Sequence, residues 1–397
     1  MRVFDYDRAS ELMDECGLDV IVTHTKHSGS YLADYWYDLY YGDPSFPLLN
    51  HPWQDCYQWA ATFVGLPKNQ DQEAFIVGWT DEANDIPAMD VWIQDRRYWG
   101  IEMIVTGETA KGGFYRGPLE ATAAALSDRH LEGSAIGVEM RLLPMPFYQA
   151  LKKLLPKATF RDAEPCLQRL RMIKTPEEIR RLRLAAGVLD TAMGAFYKSV
   201  REGMRDTDLV TKLKLATLDA GGEFVSCHMA VGPNGAKNIR PTGEQVAAGK
   251  IVRVDLIVSY ERYLADFSRV RSFGPPSTET RRVHEVILKA NERMRSMVAP
   301  GVRCADVYEV GINEIQEGQL TSLNAFLGHS LGCELVHEYP FIMPTDTTVL
   351  APGMVIAVEP ALRYKGVGSV NIEDMVLVTS DGNEELTHYD RGLAPIG

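Results

Sequence analysis

The chain has 397 residues, of which 45 % are hydrophobic and 24 % are charged, and its formal net charge is −13 at pH 7. This length exceeds one ordinary hydrophobic core, so two domains are expected. The negative charge argues against a nucleic-acid backbone or an anionic membrane as the main partner, and it fits a small neutral or cationic substrate better.

The N-terminal sequence has no basic segment followed by an apolar run, and no stretch of about 18 apolar residues occurs. We therefore expect a cytoplasmic protein without a secretion signal or a membrane-spanning helix. The six cysteines are scattered and form no CxxC pair, which favours reduced, packed thiols.

The first part of the chain alternates strand and helix signals. Buried strands are predicted by short apolar runs that begin at Leu18, Ala74, Ile101 and Ser134. The segment from Pro144 to Pro156 predicts a helix. This alternation predicts a smaller α/β domain over residues 1–170.

A capped helix marks the start of the second part. Thr175 is a suitable N-cap, Pro176 suits the first helical position, and Glu178 completes a capping box. We place the domain boundary just before this helix, which assigns residues 171–397 to the second domain. Further helices are predicted over about 206–219 and 278–297, and the strand candidates around them predict an α+β domain with a mostly antiparallel sheet.

Four acidic residues of the second domain lie inside otherwise apolar strand candidates; they are Asp255, Asp266, Glu359 and Glu373. A carboxylate that faces a core is costly unless it is paired, neutralised or bound to metal. Together with His329 in the segment GHSLG, these carboxylates predict a dinuclear metal site, because two divalent cations balance four negative charges. Oxygen-rich ligation with one imidazole suits Mn, Fe, Co or Zn.

The ordered motifs resemble the pita-bread (M24-type) family of methionine aminopeptidase, aminopeptidase P, prolidase and creatinase. The matching segments are VDLIVSYERYLADFSR, GHSLGCELVHEYP, PGMVIAVEP and NIEDMVLV. The first two acids are eleven residues apart, as in that family. The resemblance covers roughly residues 170–397 and implies a C-terminal pita-bread catalytic domain, preceded by a creatinase/prolidase-like N-terminal domain, in a homodimer.

The resemblance also implies a role for each ligand. Asp255 chelates one metal ion, Asp266 and Glu373 bridge both ions, and His329 and Glu359 complete the shell of the other. Two divalent metal ions are therefore the implied cofactors.

Two catalytic roles follow from the same resemblance. Glu359 is the general base that accepts a proton from the attacking water and then the general acid toward the leaving nitrogen. His337, eight residues after His329, steadies the tetrahedral intermediate.

Two positions depart from the peptidase pattern. Asn238 or Ile239 stands where such peptidases carry a further histidine, and Asn371 stands where many carry an arginine. Both departures affect groups that hold a peptide substrate. His228 and Arg240 are candidates for substrate contacts in this region.

An aromatic-rich segment in the first domain offers further candidates. Trp36, Tyr37 and Tyr40 belong to SYLADYWYDLYYGD, and the resemblance implies that the N-terminal domain of one subunit reaches the site of its partner. An aromatic wall beside acidic residues suits a cationic group. The alternative is that these rings pack in a core or a dimer interface.

These features predict a metal-dependent hydrolase of an amide- or peptide-like C–N bond in a small substrate, which uses water activated by two metal ions and Glu359 as general acid/base. One alternative is an Xaa-Pro aminopeptidase or dipeptidase. Another is a lyase that resembles the dimethylsulfoniopropionate lyases, although Ile257 stands where those carry a further acid. A non-catalytic binding protein of this fold would normally lose metal ligands, and all five are present.

Overall fold

The computed structural model of the protein describes residues 2–35, 62–79, 91–99, 115, 117–237, 239–322 and 324–396. The chain divides into two compact units, Met1–Arg171 and Met172–Gly397. Among the helices of the described residues, none combines the length and the apolar character that crossing a membrane requires. The strand predicted to begin at Ile101 lies outside the described residues.

The described residues of the first unit form helices and a six-stranded sheet of mixed parallel and antiparallel strands. Its helices are α1 (Tyr6–Cys16), α2 (Lys26–Ala33), α3 (Pro118–Ser127), α4 (Met145–Leu154) and α5 (Glu164–Met172). Its strands are β1 (Val20–Thr23), β2 (Phe63–Pro67), β3 (Phe75–Trp79), β4 (Asp95–Trp99), β5 (Ala135–Val138) and β6 (Thr159–Asp162). In the described residues the strand order is β4-β3-β2-β1-β5-β6.

Continuous runs of buried residues explain the central strands of this sheet. Val20 and Val22 of β1 and Ile136 of β5 are buried, and Phe147 and Leu151 of α4 pack in the same core cluster. The strands predicted from Leu18, Ala74 and Ser134 and the helix after Pro144 are confirmed. Helices α1, α2, α3 and α5 were not predicted.

A buried carboxylate after β5 stabilises the start of α2. Glu139 is 1 % exposed and accepts hydrogen bonds of 2.6 Å from the hydroxyls of Thr23, Thr25 and Ser28. Burial opposes its ionisation, but hydrogen bonds from His27, Ser28 and Thr23 hold the pKa of Glu139 well below its ordinary value. Both of its oxygens are therefore committed to holding this part of the first unit together.

We expect Glu139→Gln to lower the free energy of unfolding by about 2–3 kcal/mol, because hydrogen bonds to a charged group are lost. Since the folded pKa lies below the unfolded one, this stabilisation is present above the unfolded pKa and is lost as the pH falls. Thermal unfolding of both proteins at pH 7 and pH 4 measures the effect. Glu120→Gln, at an exposed position of α3, is the control, and equal unfolding temperatures for all three proteins would contradict the assignment.

The second unit contains long helices and mostly antiparallel strands. The helices are α6 (Pro176–Ser199), α7 (Asp206–Asp219), α8 (Thr278–Met297) and α9 (Cys304–Glu317). The strands are β7 (Glu223–Val231), β8 (Ile251–Tyr260), β9 (Tyr263–Phe273), β10 (Gly328–Ser330), β11 (Glu338–Phe341), β12 (Val355–Val358), β13 (Ala361–Tyr364), β14 (Gly368–Asn371), β15 (Asp374–Val378), β16 (Asn383–Glu385) and β17 (Pro395–Ile396).

These strands form two main sheets in the described residues, in the orders β17-β9-β8-β7 and β11-β10-β12-β15-β16, with β13 and β14 as a separate hairpin. Helix α6 begins with the predicted capping box. The side-chain oxygen of Thr175 accepts a hydrogen bond from the backbone N–H of Glu178, and the carboxylate of Glu178 accepts one from the backbone N–H of Thr175. This prediction is confirmed, whereas helix α9 was not predicted.

A tight hairpin between β8 and β9 fixes the relative positions of two acidic residues. Tyr260 pairs with Tyr263, and the two turn residues Glu261 and Arg262 have φ values of 48° and 68°. Two positive φ values are typical of the type I′ turn that joins twisted antiparallel strands. This register places Asp255 opposite Ser268 and Ile257 opposite Asp266. Asp255 and Asp266 are therefore diagonal neighbours on one face of the sheet.

Candidate metal centre

Elements distant in the sequence bring four acids and one histidine of the second unit together. Asp255 and Asp266 lie on β8 and β9, and His329 lies on β10. Glu359 directly follows β12, and Glu373 lies between β14 and β15. Pairing of β10 with β12 sets Gly328 opposite Val358, which brings His329 and Glu359 to the same end of the strand pair.

Three of these residues form a compact group of ligand atoms. Atoms of Asp266, His329 and Glu373 all lie within 4.8 Å of one another, and all three residues are buried. Nε2 of His329 lies 3.6 Å from Oε1 of Glu359 and 3.8 Å from Oε1 of Glu373. Glu359 therefore borders the same space.

Hydrogen bonding determines which nitrogen of His329 faces this space. Nδ1 lies 3.1 Å from the carbonyl oxygen of Ser330, which only accepts, so Nδ1 carries the proton. Nε2 then presents a lone pair to the carboxylates. Burial, with a smaller effect of His337, lowers the pKa of His329 to about 3, so the imidazole is neutral as a metal ligand must be.

The carboxylates that face His329 are strongly perturbed. Burial first, and then the negative charge of the neighbouring acids, raises the pKa of Asp266 and of Glu373 well above their ordinary values. The same causes raise the pKa of Glu359 to about 8. Such crowding becomes favourable when cations neutralise it.

Buried polar atoms without partners support the same interpretation. Among the described residues, Oδ1 of Asp266, both side-chain oxygens of Glu373 and Nε2 of His329 have no hydrogen-bond partner. Buried polar groups in proteins are normally paired, so an unpaired convergent set indicates a ligand-binding site. Carboxylate oxygens with one imidazole fit a divalent transition metal.

The surroundings of Asp255 differ from those of the other acids. Arg253 donates to Oδ2 of Asp255 at 2.5 Å, and Nδ1 of His228 donates to the same oxygen at 3.2 Å. Burial opposes ionisation, but the charge of Arg253 and the hydrogen bond from His228 lower the pKa of Asp255 to about 2. Arg253 was not among the predicted site residues, although an arginine two positions before Asp255 in an apolar strand is a readable signal.

A buried ion pair holds the strand that follows Glu373. Arg269 and Asp374 are both 0 % exposed, and Nη2 of Arg269 lies 2.6 Å from Oδ1 of Asp374. Arg269 also donates to the backbone oxygen of Glu373 at 2.5 Å. Arg391 and Thr387 complete the bonding of Asp374. This network fixes the backbone of Glu373 and was not identified in the sequence.

The remaining predicted residues occupy different positions. His337 is exposed, with its ring centroid 4.4 Å from that of His329. His228 lies beside Asp255, as described above, and Arg240 is exposed in the loop between β7 and β8. Trp36, Tyr37, Tyr40 and Asn238 lie outside the described residues.

Comparisons with known proteins agree with this geometry. The profile of metallopeptidase family M24 matches residues 180–380, and that of the creatinase/prolidase N-terminal domain matches residues 72–173. An Xaa-Pro dipeptidase of Pyrococcus horikoshii is 30 % identical over 269 residues, which cover 66 % of this chain and 76 % of the relative.

Solved structures share the fold. An Xaa-Pro dipeptidase from Bacillus anthracis superposes with a TM-score of 0.79 at 22 % identity and covers 98 % of this chain and 99 % of its own. An X-Pro aminopeptidase from Thermotoga maritima also has a TM-score of 0.79, at 19 % identity, with 99 % of each chain covered.

The fold and the carboxylate–imidazole cluster together define a metal-dependent peptide hydrolase. The extent of the matches is decisive, and the chain belongs to metallopeptidase family M24, with an N-terminal domain of the creatinase/prolidase type. The predicted family, fold class and enzyme class are thereby confirmed.

Proposed function

We propose that this metallopeptidase cleaves the C–N bond of a dipeptide with proline in the second position. The convergence of Asp266, His329 and Glu373 beside Glu359 is the observation that supports a hydrolytic metal centre. The relatives named as Xaa-Pro dipeptidases support this substrate class over the small-molecule substrate favoured by the sequence.

Asp255, Asp266, His329, Glu359 and Glu373 would together hold two divalent ions. When bound, such ions supply a Lewis acid that polarises the scissile carbonyl and makes water more acidic. Asp255 would contribute to holding one ion, and His329 and Glu359 would contribute to holding the other.

Glu359 is suited to move the proton during hydrolysis. Its side chain is 17 % exposed, against 1 % for Glu373, so it borders both the buried cluster and the accessible side. The carboxylate accepts a proton from water as the oxygen attacks the carbonyl carbon, and it returns the proton to the leaving nitrogen as the C–N bond breaks. The exposed imidazole of His337 donates a hydrogen bond to the oxygen that becomes negative.

A second candidate is hydrolysis of a small, non-peptide C–N bond. Asn238 or Ile239 stands where peptidases of this family usually carry a histidine, and Asn371 stands where many carry an arginine, so contacts to a peptide are expected to differ here. Asn371 is 2 % exposed and hydrogen-bonds to Glu359, so this position acts on the site itself.

A substrate screen with Mn²⁺-loaded enzyme distinguishes these candidates. We expect release of proline from Xaa-Pro dipeptides, and slower or no turnover of creatine-like, ectoine-like and sulfonium compounds. Dipeptides without proline are the matched control. If a non-peptide compound is turned over while Xaa-Pro dipeptides are not cleaved, the second candidate is favoured.

The homodimer and the cytoplasmic location stay predictions. Light scattering of the purified protein measures its oligomeric state.

Metal binding is expected to raise the unfolding temperature, because ions bind the folded ligand cluster and not the unfolded chain. At a free Mn²⁺ concentration of about 100 times the dissociation constant, the stabilisation is about 2.7 kcal/mol. Thermal unfolding with Mn²⁺, with Mg²⁺ and with chelator measures it. An unfolding temperature that is indifferent to Mn²⁺ and to chelator would count against the metal centre.

A further inference from the structure

Arg253 lies on the same face of β8 as the first metal-ligand candidate. Side chains two residues apart on a strand point to the same side, so Arg253 and Asp255 both face the cluster. Arg253 is 4 % exposed, and its Nη2 donates to Oδ2 of Asp255 at 2.5 Å. A full positive charge is thus buried inside the group of carboxylates.

The rest of this guanidinium is not paired. Within the described part of the chain, Nε and Nη1 of Arg253 are buried and have no hydrogen-bond partner. A buried charge with unpaired donors is costly unless strongly negative surroundings compensate it. The carboxylates of Asp255, Asp266, Glu359 and Glu373 provide that compensation, since Arg253 acts electrostatically on each of them.

The cluster is therefore asymmetric. On one side, Asp266, His329 and Glu373 have unpaired ligand atoms that converge. On the other side, Oδ2 of Asp255 already accepts from Arg253 and from His228. A metal ion that binds Asp266, His329 and Glu373 meets unpaired lone pairs. A metal ion that binds Asp255 must displace the guanidinium of Arg253 or lie close to its positive charge.

The charge balance leads to the same conclusion. Four ionised carboxylates are neutralised by two divalent ions only when no other cation is present. With Arg253 in place, the second ion would leave an excess positive charge in a buried site, where like charges repel strongly.

We propose that Arg253 is a built-in cation of the metal centre that competes with a second divalent ion for Asp255. The protein binds one ion tightly through Asp266, His329 and Glu373, with Glu359 beside them, and a second ion only weakly. This inference rests on the proposed function, because it assumes that the cluster binds metal.

Titration calorimetry with Mn²⁺ on the metal-free full chain tests the proposal, together with metal content measured after dialysis. We expect one tight site in the unaltered protein and a second site at least tenfold weaker. Arg253→Met keeps the length of the side chain and removes its charge and its donors. In this variant we expect the second ion to bind at least tenfold more tightly, whereas Arg253→Lys keeps the charge and the weak second site.

Control variants separate the possible outcomes. Arg363→Met removes an exposed arginine of β13 and is expected to leave both affinities unchanged. Asp255→Asn is expected to leave the first affinity within about threefold. Two equal sites in the unaltered protein, or an unchanged second affinity in a folded Arg253→Met, would overturn the role of Arg253 alone. If Arg253→Met does not fold, Arg253→Gln is measured in its place, and an unchanged second affinity in that variant overturns the role of Arg253. No Mn²⁺ binding to the unaltered protein would instead overturn the proposed function.

Discussion

Replacing Asp266 with alanine is expected to abolish both metal uptake and peptide hydrolysis. Asp266 belongs to the compact ligand group with His329 and Glu373, and its carboxylate is buried among the other acids. Removing it would take a carboxylate away from the proposed metal centre. The first unit lies outside the affected sheet and is expected to stay folded.

Metal content per chain and the rate of Xaa-Pro cleavage measure the effect of Asp266→Ala. Asp381→Ala is the matched control, because Asp381 is exposed and accepts a surface hydrogen bond from Thr379. The control is expected to keep full metal content and turnover. If Asp266→Ala kept either one, the assignment of the metal centre would be wrong.

Glu359→Gln is expected to lower kcat by roughly 10²- to 10⁴-fold, the usual contribution of a general acid or base. Glutamine keeps a side-chain oxygen that is able to coordinate a metal ion, but it does not accept a proton at neutral pH. Metal content is therefore expected to fall much less than turnover. This difference separates proton transfer from ligation, because both roles fall on the same residue.

Steady-state assays of Xaa-Pro cleavage give kcat for Glu359→Gln, and metal analysis of the same preparations gives the metal content per chain. Glu317→Gln, at an exposed position near the end of α9, is the control. A variant with unaltered kcat would assign proton transfer to another group. Equal losses of metal and of turnover would limit Glu359 to ligation.

The candidate ligands could be predicted from the sequence because acidic residues inside apolar strand segments are easy to recognise. Asp255, Asp266, Glu359 and Glu373 interrupt apolar strand segments, and a carboxylate in such a place needs a strong compensating interaction. Local spacing was equally informative for the capping box at Thr175, where both partners lie within one turn. These features depend on neighbours in the sequence.

The partners of the ligands could not be read in the same way. His228 meets Asp255 only because β7 and β8 pair in one register, and a register shift between Phe224 and Ser226 changes that pairing. Arg269 meets Asp374 across two strands that are more than 100 residues apart. Contacts of this kind depend on the sheet as a whole.

Helix α9 was missed for a local reason. Gly311 lies inside it and weakens the helical signal, since glycine is unfavourable in helix interiors. A side chain at that position would come within 2.4 Å of the sulfur of Met294. Close packing of α9 against α8 therefore requires the residue that makes the helix hard to recognise.

The two-residue turn at Glu261 and Arg262 limits how this enzyme is able to evolve. Because successive strand residues point to opposite sides, one inserted residue would slide β9 by a single position and send the carboxylate of Asp266 into the opposite layer. Substitutions that tolerate positive φ values at the two loop positions preserve that alignment, whereas a shift of the strand by one residue does not. Descendants of this chain are thus constrained both in the residue count of the loop and in its residue types, because both positions have positive φ values.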